Sequence, residues 1–391
     1  MIFADHVGHA RHLAVGKDNT VYVNTWSGGY YGDDKPPNGG FVVALKDRDG
    51  DGVADVASRF GPGVAQGGHG GTGIALYKRW LFAEENDKIA RYEVASDGDL
   101  DPASGETVLD RLPLGGAHPV HPFAIGRDGR LFVAPGSATD ACAGTGAHQR
   151  GQEPCRELET RAGVWLYDAN RTGQHFSPQE RFATGCRNAE GLDFDRAGRL
   201  YATQHGRGHL HEKWPEFYSQ QQGFELPAEE LTIIERGASY GWPRCYFDPM
   251  QHELVLAPEY GGNGQKVGRC AQGAVPLAVF PAHWAPNDMK IYKVTGFPAF
   301  YKGGAFIAFH GSFNPAGPHG GYNVVFQPLR DGAASGGFSV FADGFAGGSE
   351  NKEPGRAKHR PSGIAFGPDG ALYIADDKAG RIWRIVFSSN R

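Results

Sequence analysis

The sequence predicts an all-β fold, a six-bladed β-propeller of four-stranded antiparallel blades with long functional loops on one face. Three observations carry this expectation. The 391 residues include 59 Gly, 25 Pro, only 3 Met and 12% aromatic side chains, which suits many short strands joined by turns. A short apolar run, a Gly/Asp turn and a second apolar run recur six times along the chain. Helical periodicity is nearly absent. Six repeats in this length give roughly 65 residues per unit, the size of a four-stranded blade with loop insertions. Seven blades, or two sandwiches, are the alternatives.

Taken in order, the regular repeats are HLAVGKDNTVYVNT (12–25), PFAIGRDGRLFVAPG (122–136), GLDFDRAGRLYATQHG (191–206) and SGIAFGPDGALYIADD (362–377). Less regular versions are GGTGIALYKRWLFAEENDKIARYEV (70–94) and PAFYKGGAFIAFHGSF (298–313). Each reads as strand, tight turn, strand, with the turn residues supplying positive φ. A third strand follows in GVWLYDA (163–169), YNVVFQPL (322–329) and RIWRIVF (381–387). Residues 1–25 begin with a strand and are expected to complete the sheet of the last blade. PAEELTIIERGA (227–238) holds the one helical turn on offer, although TIIE reads equally as strand. No linker divides the chain, so residues 1–391 read as a single domain. The long insertions 137–161, 205–230 and 245–289 follow strand ends, where a rigid scaffold holds functional loops.

No run of eighteen apolar residues exists, so no membrane span is expected. The net charge of −5 and the lack of a basic stripe exclude nucleic acid as the expected partner. Among five cysteines, Cys142 with Cys155 and Cys245 with Cys270 flank Gly-rich or irregular loops. Neither spacing is a zinc knuckle. Two loop-closing disulfides, each worth about 2–4 kcal/mol, are the better reading, with buried reduced thiols as the alternative. Disulfides imply an oxidising compartment, periplasmic or extracellular. MIFADHVGHARHLAV lacks the basic and apolar regions of a signal peptide, so a leader is expected to lie outside this sequence.

Three constellations carry candidate chemistry. In KDRDGDGVAD (46–55), Asp47, Asp49, Asp51 and Asp55 with Gly52 match the first half of a calcium loop, and Ser58 stands where an EF-hand wants Glu. This reads as a peripheral Ca²⁺ site or as a solvated hairpin turn. Of sixteen histidines, His69, His118, His121, His205, His209, His211, His283, His310 and His319 sit in loops, where a proton acceptor is expected among them. HLHE (209–212) is a minor metal candidate. In ATGCRNAEGLDFD (183–195), Arg187 offers a planar fork for carboxylates and Asn188 both a donor and an acceptor. Cys186 just before them lacks a local base and reads as buried filler. A second basic run, NKEPGRAKHRPSG (351–363), precedes the last repeat.

The order of RNxEG (187–191), TQHGRG (203–208), PAEEL (227–231) and GASYGWP (237–243) resembles the soluble pyrroloquinoline quinone (PQQ) dependent sugar dehydrogenases. GGAHPVHPFAIGRDGRLFVAPGS (115–137) resembles the family's blade with the catalytic histidine. FPAHWAPNDMKIY (280–292) and FIAFHGSFNPAGPHGGYNVVFQPL (306–329) look most like its sorbosone (aldose) branch. The resemblance implies PQQ and Ca²⁺ at the channel mouth and His118 as general base, with His121 the second choice. It implies Arg187, Asn188, Glu190 (usually Gln) and His205 as cofactor contacts, and the backbone carbonyls of Gly206 and Arg207 as calcium ligands. Arg360 matches an arginine that meets a PQQ carboxylate, with Lys352, Arg356 and Lys358 as looser candidates.

Two positions depart from the pattern. The acid that supports the catalytic histidine falls near Ser137, which leaves Asp140 as its substitute. HGSWNR is HGSFNP here, so Pro315 removes a basic group after Asn314. The implied reaction is oxidation of an aldose or related sugar or aldehyde, by hydride transfer to the quinone as His118 takes the hydroxyl proton. Electrons then pass to an external acceptor, because no CxxCH haem motif is present. A monomer or weak homodimer is expected. A ligand-binding propeller without turnover, and a gluconolactonase-like metal hydrolase, are the alternative functions.

Overall fold

The computed structural model describes residues 1–26, 40–61, 70–312, 319–353 and 355–388. His69, Asn314 and Pro315 lie outside them. Six blade sheets follow one another along the chain, antiparallel throughout except that Gln174–His175 adds a short parallel fifth strand to the outer edge of blade 2. Blade 1 is Ala10–Val15, Val21–Thr25, Val42–Lys46 and Val56–Phe60, and blade 2 is Ile74–Tyr77, Trp80–Glu85, Lys88–Glu93 and Glu106–Asp110. Blade 3 is Phe123–Ile125, Arg130–Val133, Gly163–Asp168 and Arg181–Thr184. Blade 4 is Leu192–Phe194, Leu200–Gln204, Glu229–Ile233 and Ala278–Phe280. Blade 5 is Pro286–Ile291, Ala305–Phe309, Asn323–Gln327 and Ser339–Ala342. In blade 6, Pro361–Phe366, Leu372–Asp376 and Ile382–Ile385 take their outermost strand, Ile2–Ala4, from the start of the chain.

That last pairing closes the ring, and it sharpens the expectation for residues 1–25: only Ile2–Ala4 join blade 6, while the rest opens blade 1. Strand-to-strand turns follow the sequence signals. In blade 3 Asp128 accepts from the Arg130 N–H at 3.1 Å while Gly129 adopts φ +88°, a conformation that side chains with Cβ resist.

Apolar clusters lie between consecutive blades rather than in one central core. Val21, Val23, Val43 and Leu45 of blade 1 pack on Tyr373, Ala375 and Ile382 of blade 6, and Phe3 fills the seam. Equivalent clusters join blades 1 to 2, 2 to 3, 3 to 4, 4 to 5 and 5 to 6. Each sheet is therefore buried on both faces, which is why its middle strands read as near-continuous apolar runs.

Two expectations need correction. The stretch 227–238 is not helical, for Glu229–Ile233 is a middle strand hydrogen-bonded to Leu200–Gln204 and Ala278–Phe280. Sheet pairing on both sides outweighs the helix-forming glutamates. The described α-helices are Leu210–Lys213 and Gln220–Glu225, the second opened by a Ser219–Gln222 capping box. Segment 298–313 holds one strand, Ala305–Phe309, preceded by a 3₁₀ turn at Ala299–Tyr301. The inner strand of blade 5 is Pro286–Ile291.

The third insertion also differs from 245–289: it runs from 234 to 277, ahead of strand Ala278–Phe280. It carries its own hairpin, Cys245–Asp248 with Glu253–Leu256. Its first part climbs beside the outer strand of blade 3, with Tyr240 N–H donating to Thr184 at 3.0 Å and Trp242 N–H to Gly185 at 3.1 Å. Disulfides Cys142–Cys155 and Cys245–Cys270 close loops of 13 and 25 residues. Cys186 is buried and free, and burial pushes its thiol pKa up. No described helix is long and apolar enough to cross a membrane.

Candidate functional site at the channel mouth

In antiparallel four-stranded blades, the connections between strands 2 and 3 and those between blades share one face. A cavity of about 410 Å³ opens there. Its lining comes from such connections: Ala117 to Val120 ahead of blade 3, Asp140, Arg187 to Glu190 ahead of blade 4, His205 to His209, His283 to Asn287 and His310. Arg11, Trp26 and Glu229 complete it from the adjoining strand ends.

His118 Nδ1 lies 2.9 Å from the Ser137 carbonyl and 3.1 Å from Ser137 Oγ. The Ser137 hydroxyl donates to the Thr139 carbonyl at 2.7 Å, so both Ser137 oxygens face His118 as acceptors. Nδ1 therefore carries the proton and Nε2 keeps a lone pair. Burial, then the nearby Arg187 and His205, push the His118 pKa down to about 3, so the ring is neutral across the physiological range. A Cβ on Gly136 would sit 2.5 Å from both His118 Cβ and Asn188 Oδ1, so glycine there lets the two side chains converge.

Arg187 clamps two blades together. Its Nη2 donates to Asp140 Oδ1 and its Nη1 to the Gly206 carbonyl, both at 2.9 Å. Asp140 also accepts from Gly208 N–H at 2.9 Å and from Arg207 Nη2 at 3.3 Å. These cations outweigh burial and hold its carboxyl well below the usual range. Asp140 is thus fully engaged away from His118, and the expectation that it supports the histidine is not met. The Ser137 carbonyl holds the ring instead.

Asn188 donates to Glu190 Oε1 at 3.2 Å, while its own buried Oδ1 has no partner. Glu190 accepts from Arg11 at 2.8 Å, and Arg11 also pairs with Asp377 at 2.8 Å. Asp377 in turn meets His310 Nε2 at 2.8 Å. This buried chain of charges ties blades 1 and 6 to the connections ahead of blade 4 and after strand 2 of blade 5. Glu229 accepts from the N–H groups of Gly206 at 2.8 Å and Ala285 at 3.0 Å, and burial raises its pKa to about 7. Burial lowers the His205 pKa to about 4.

Of the candidates from the sequence, His118, Arg187, Asn188, Glu190, His205 and Gly206 converge on this cavity. The Arg207 side chain turns away to Glu259 at 2.5 Å. Arg360 is buried beside the cavity wall, donating to the carbonyls of His310 at 3.1 Å and Gly311 at 2.8 Å. Lys352 and Arg356 do not reach the cavity, and Arg356 is 60% exposed beside Glu353. Lys358 is exposed as well, whereas Arg360 in the same run is buried. His121 is excluded as the alternative base, since Glu84 at 2.9 Å and the Pro113 carbonyl at 2.9 Å take both ring nitrogens. His211 Nδ1 meets the Tyr218 carbonyl at 2.8 Å.

Asp47, Asp49 and Asp51 bring carboxylate oxygens within 4.8 Å of one another. They lie on the turn after the third strand of blade 1, at the opposite face. Asp55 instead accepts from the Arg48 N–H at 3.3 Å. Sequence reading missed Arg11, Glu229 and Asp377, and named His310 only among the loop histidines. Their signal was charge inside apolar strands or at strand ends, as in ARHLAV (10–15) and YIADD (373–377).

Fold and cavity define a six-bladed propeller with an open cavity lined by charged side chains at one mouth. A model of the TrAA12-like family matches residues 64–387, and the chain belongs to that family. The calcium structure of the Trichoderma reesei family AA12 enzyme superposes with a TM-score of 0.76 at 17% identity, covering 97% of this chain and 93% of that one. The holo PQQ domain of Coprinopsis cinerea pyranose dehydrogenase gives 0.74 at 18% identity, covering 99% and 94%. PQQ-bound aldose sugar dehydrogenase from Streptomyces coelicolor gives 0.58 at 17%, covering 98% and 96%. At these identities the likeness is one of fold. An uncharacterised protein of Borreliella burgdorferi is 24% identical over 212 residues, 54% of this chain, and the match spans about half of that protein's length (49%).

Proposed function

We propose that this chain is a PQQ- and calcium-dependent oxidoreductase of the sorbosone type that oxidises an aldose or related sugar or aldehyde, with His118 as general base. One observation carries the reading: a neutral histidine with its Nδ1 proton fixed, and hence an Nε2 lone pair free to accept a proton, lines the same cavity as Arg187 and Asn188. The residues fit the quinone. Arg187, Asn188, His205 and Arg11 would hold its oxygens, and the partnerless Asn188 Oδ1 offers an acceptor to its pyrrole N–H. They also fit calcium. The Gly206 carbonyl lines the cavity with the Asp140 and Glu229 carboxylates, and with the Arg207 backbone carbonyl these would offer a hard cation the oxygen ligands it prefers.

When bound, the quinone supplies a two-electron oxidant and calcium a Lewis acid beside it. The chain's own contribution is proton handling and order. His118 Nε2 receives the substrate hydroxyl proton, and Ser137 keeps the ring in the productive tautomer. The Asp140–Arg187 pair fixes the guanidinium, so its charge needs no reorganisation. Turnover needs an external electron acceptor. The two disulfides support an oxidising location, periplasmic or secreted.

The test adds PQQ and Ca²⁺ to the protein and follows dye reduction with a panel of aldoses. Reduction that requires both additions and a sugar is expected. Quinone binding with no sugar or aldehyde oxidised would overturn the catalytic assignment, and no quinone binding would overturn the whole reading.

A further inference from the structure

A second concavity, of about 660 Å³, lies between blades 4 and 5. It is lined by the turn between the first two strands of blade 4 and by the two such connections of blade 5 on the same side. Those turns place it on the face opposite the channel-mouth cavity. Its lining carries five cations, Arg196, Arg199, Lys293, Lys302 and Arg330, against two acids, Asp195 and Asp331. Two of the cations are internally matched: Arg199 pairs with Asp195 at 2.6 Å and Lys293 with Asp193 at 2.7 Å. Among the described residues, Arg196, Lys302 and Arg330 make no ion pair, and all three are exposed. On a chain of net charge −5, this is a local reversal of sign.

The same groove holds Phe300, 66% exposed, braced by Tyr301 and Phe326 with ring centroids 5.2 and 5.3 Å away. A large aromatic ring held in water by its neighbours, between unmatched cations, is a ligand-facing arrangement. Guanidinium forks suit carboxylates, and a flat exposed ring suits the apolar face of a sugar.

We propose that this groove binds an acidic oligosaccharide, one with carboxylate-bearing sugar rings. A ring stacks on Phe300 while Arg196, Lys302 and Arg330 meet its carboxylates. The site is separate from the channel-mouth cavity and needs neither cofactor nor turnover, so it stands or falls independently of the proposed oxidation.

The test is calorimetric titration of the full chain with tetragalacturonate, and with a neutral tetrasaccharide of the same length. Saturable binding of the acidic sugar is expected, weakened by salt and at least tenfold tighter than the neutral one. Lys302→Glu with Arg330→Glu is expected to weaken it at least about tenfold. Phe300→Ala is expected to weaken it while the melting temperature is unchanged, and Arg187→Ala to leave it intact. No saturable binding, equal affinity for the neutral sugar, or indifference to the charge reversal would overturn the proposal. Equal affinity for a glutamate tetrapeptide would overturn the carbohydrate assignment, as would loss of binding in Arg187→Ala.

Discussion

Replacing Asp140 with Asn removes the one carboxylate that joins the loops of blades 3 and 4 at the cavity. The perturbation is nearly isosteric, so it isolates charge from shape. In the native protein this side chain serves Arg187, Arg207 and the Gly208 N–H. Arg207 keeps its pairing with Glu259 in the variant, and an amide oxygen in the place of Oδ1 can still accept from both the Gly208 N–H and Arg187 Nη2. The net loss is therefore the negative charge that faces Arg187, together with the Oδ2 contacts to Arg207 and Lys213, a buried charge-assisted set whose removal costs about 2–3 kcal/mol. With about 2.1 cal/mol/K of unfolding entropy per residue, 391 residues make this a fall in Tm of about 3 °C. Asp140 has a depressed folded-state pKa, so its contribution is present above the ordinary value of 3.8 and is lost as pH falls below it. Urea unfolding at pH 7 and at pH 3 reads both effects: a clear gap between wild type and variant at pH 7 and a smaller one at pH 3. A gap below about 0.5 kcal/mol at pH 7, or one unchanged by acid, would refute the reasoning.

Other expectations follow from the same contacts. His118 should stay neutral with its proton on Nδ1 from pH 5 to 9 in nitrogen-detected NMR, and a midpoint near 6.5 would contradict the burial argument. Glu230, raised to about 8 chiefly by burial, costs stability as pH rises from about 4.5 to about 8, so Glu230→Gln should gain on wild type across that window in urea melts. Replacing both Cys142 and Cys155 with Ser reopens a 13-residue loop and should cost about 3 kcal/mol. Lys352→Ala and Arg356→Ala should leave quinone affinity within about twofold, whereas Arg187→Ala should lower it at least about tenfold, as loss of a buried charge-assisted contact does.

The repeats were legible because every blade but the fifth opens on a hairpin whose turn residues must supply positive φ, as Gly129 does. Blade 5 was misread because Gly303–Gly304 imitates such a turn, whereas Ala299–Tyr301 before it is a 3₁₀ turn and the inner strand lies further back at Pro286–Ile291. The segment 237–242 was illegible for a different reason. Its place beside blade 3 depends on long-range pairing with Thr184 that no local pattern encodes. At the site, local motifs gave Arg187, Asn188 and His118. Arg11, Asp377 and His310 come from different blades and meet through the ring closure, so their partnership exists only in three dimensions. The basic run 351–358 misled because clustering in sequence says nothing about which way a surface loop faces.

The central claim is that the channel-mouth cavity holds a quinone served by His118. Spectrophotometric titration with PQQ in the presence of Ca²⁺, run on wild type and on His118→Ala, tests it most directly. One quinone per chain in both proteins is expected, with sugar-dependent bleaching of the quinone absorbance in wild type alone. No saturable binding to wild type, or equal bleaching in the variant, would contradict the account.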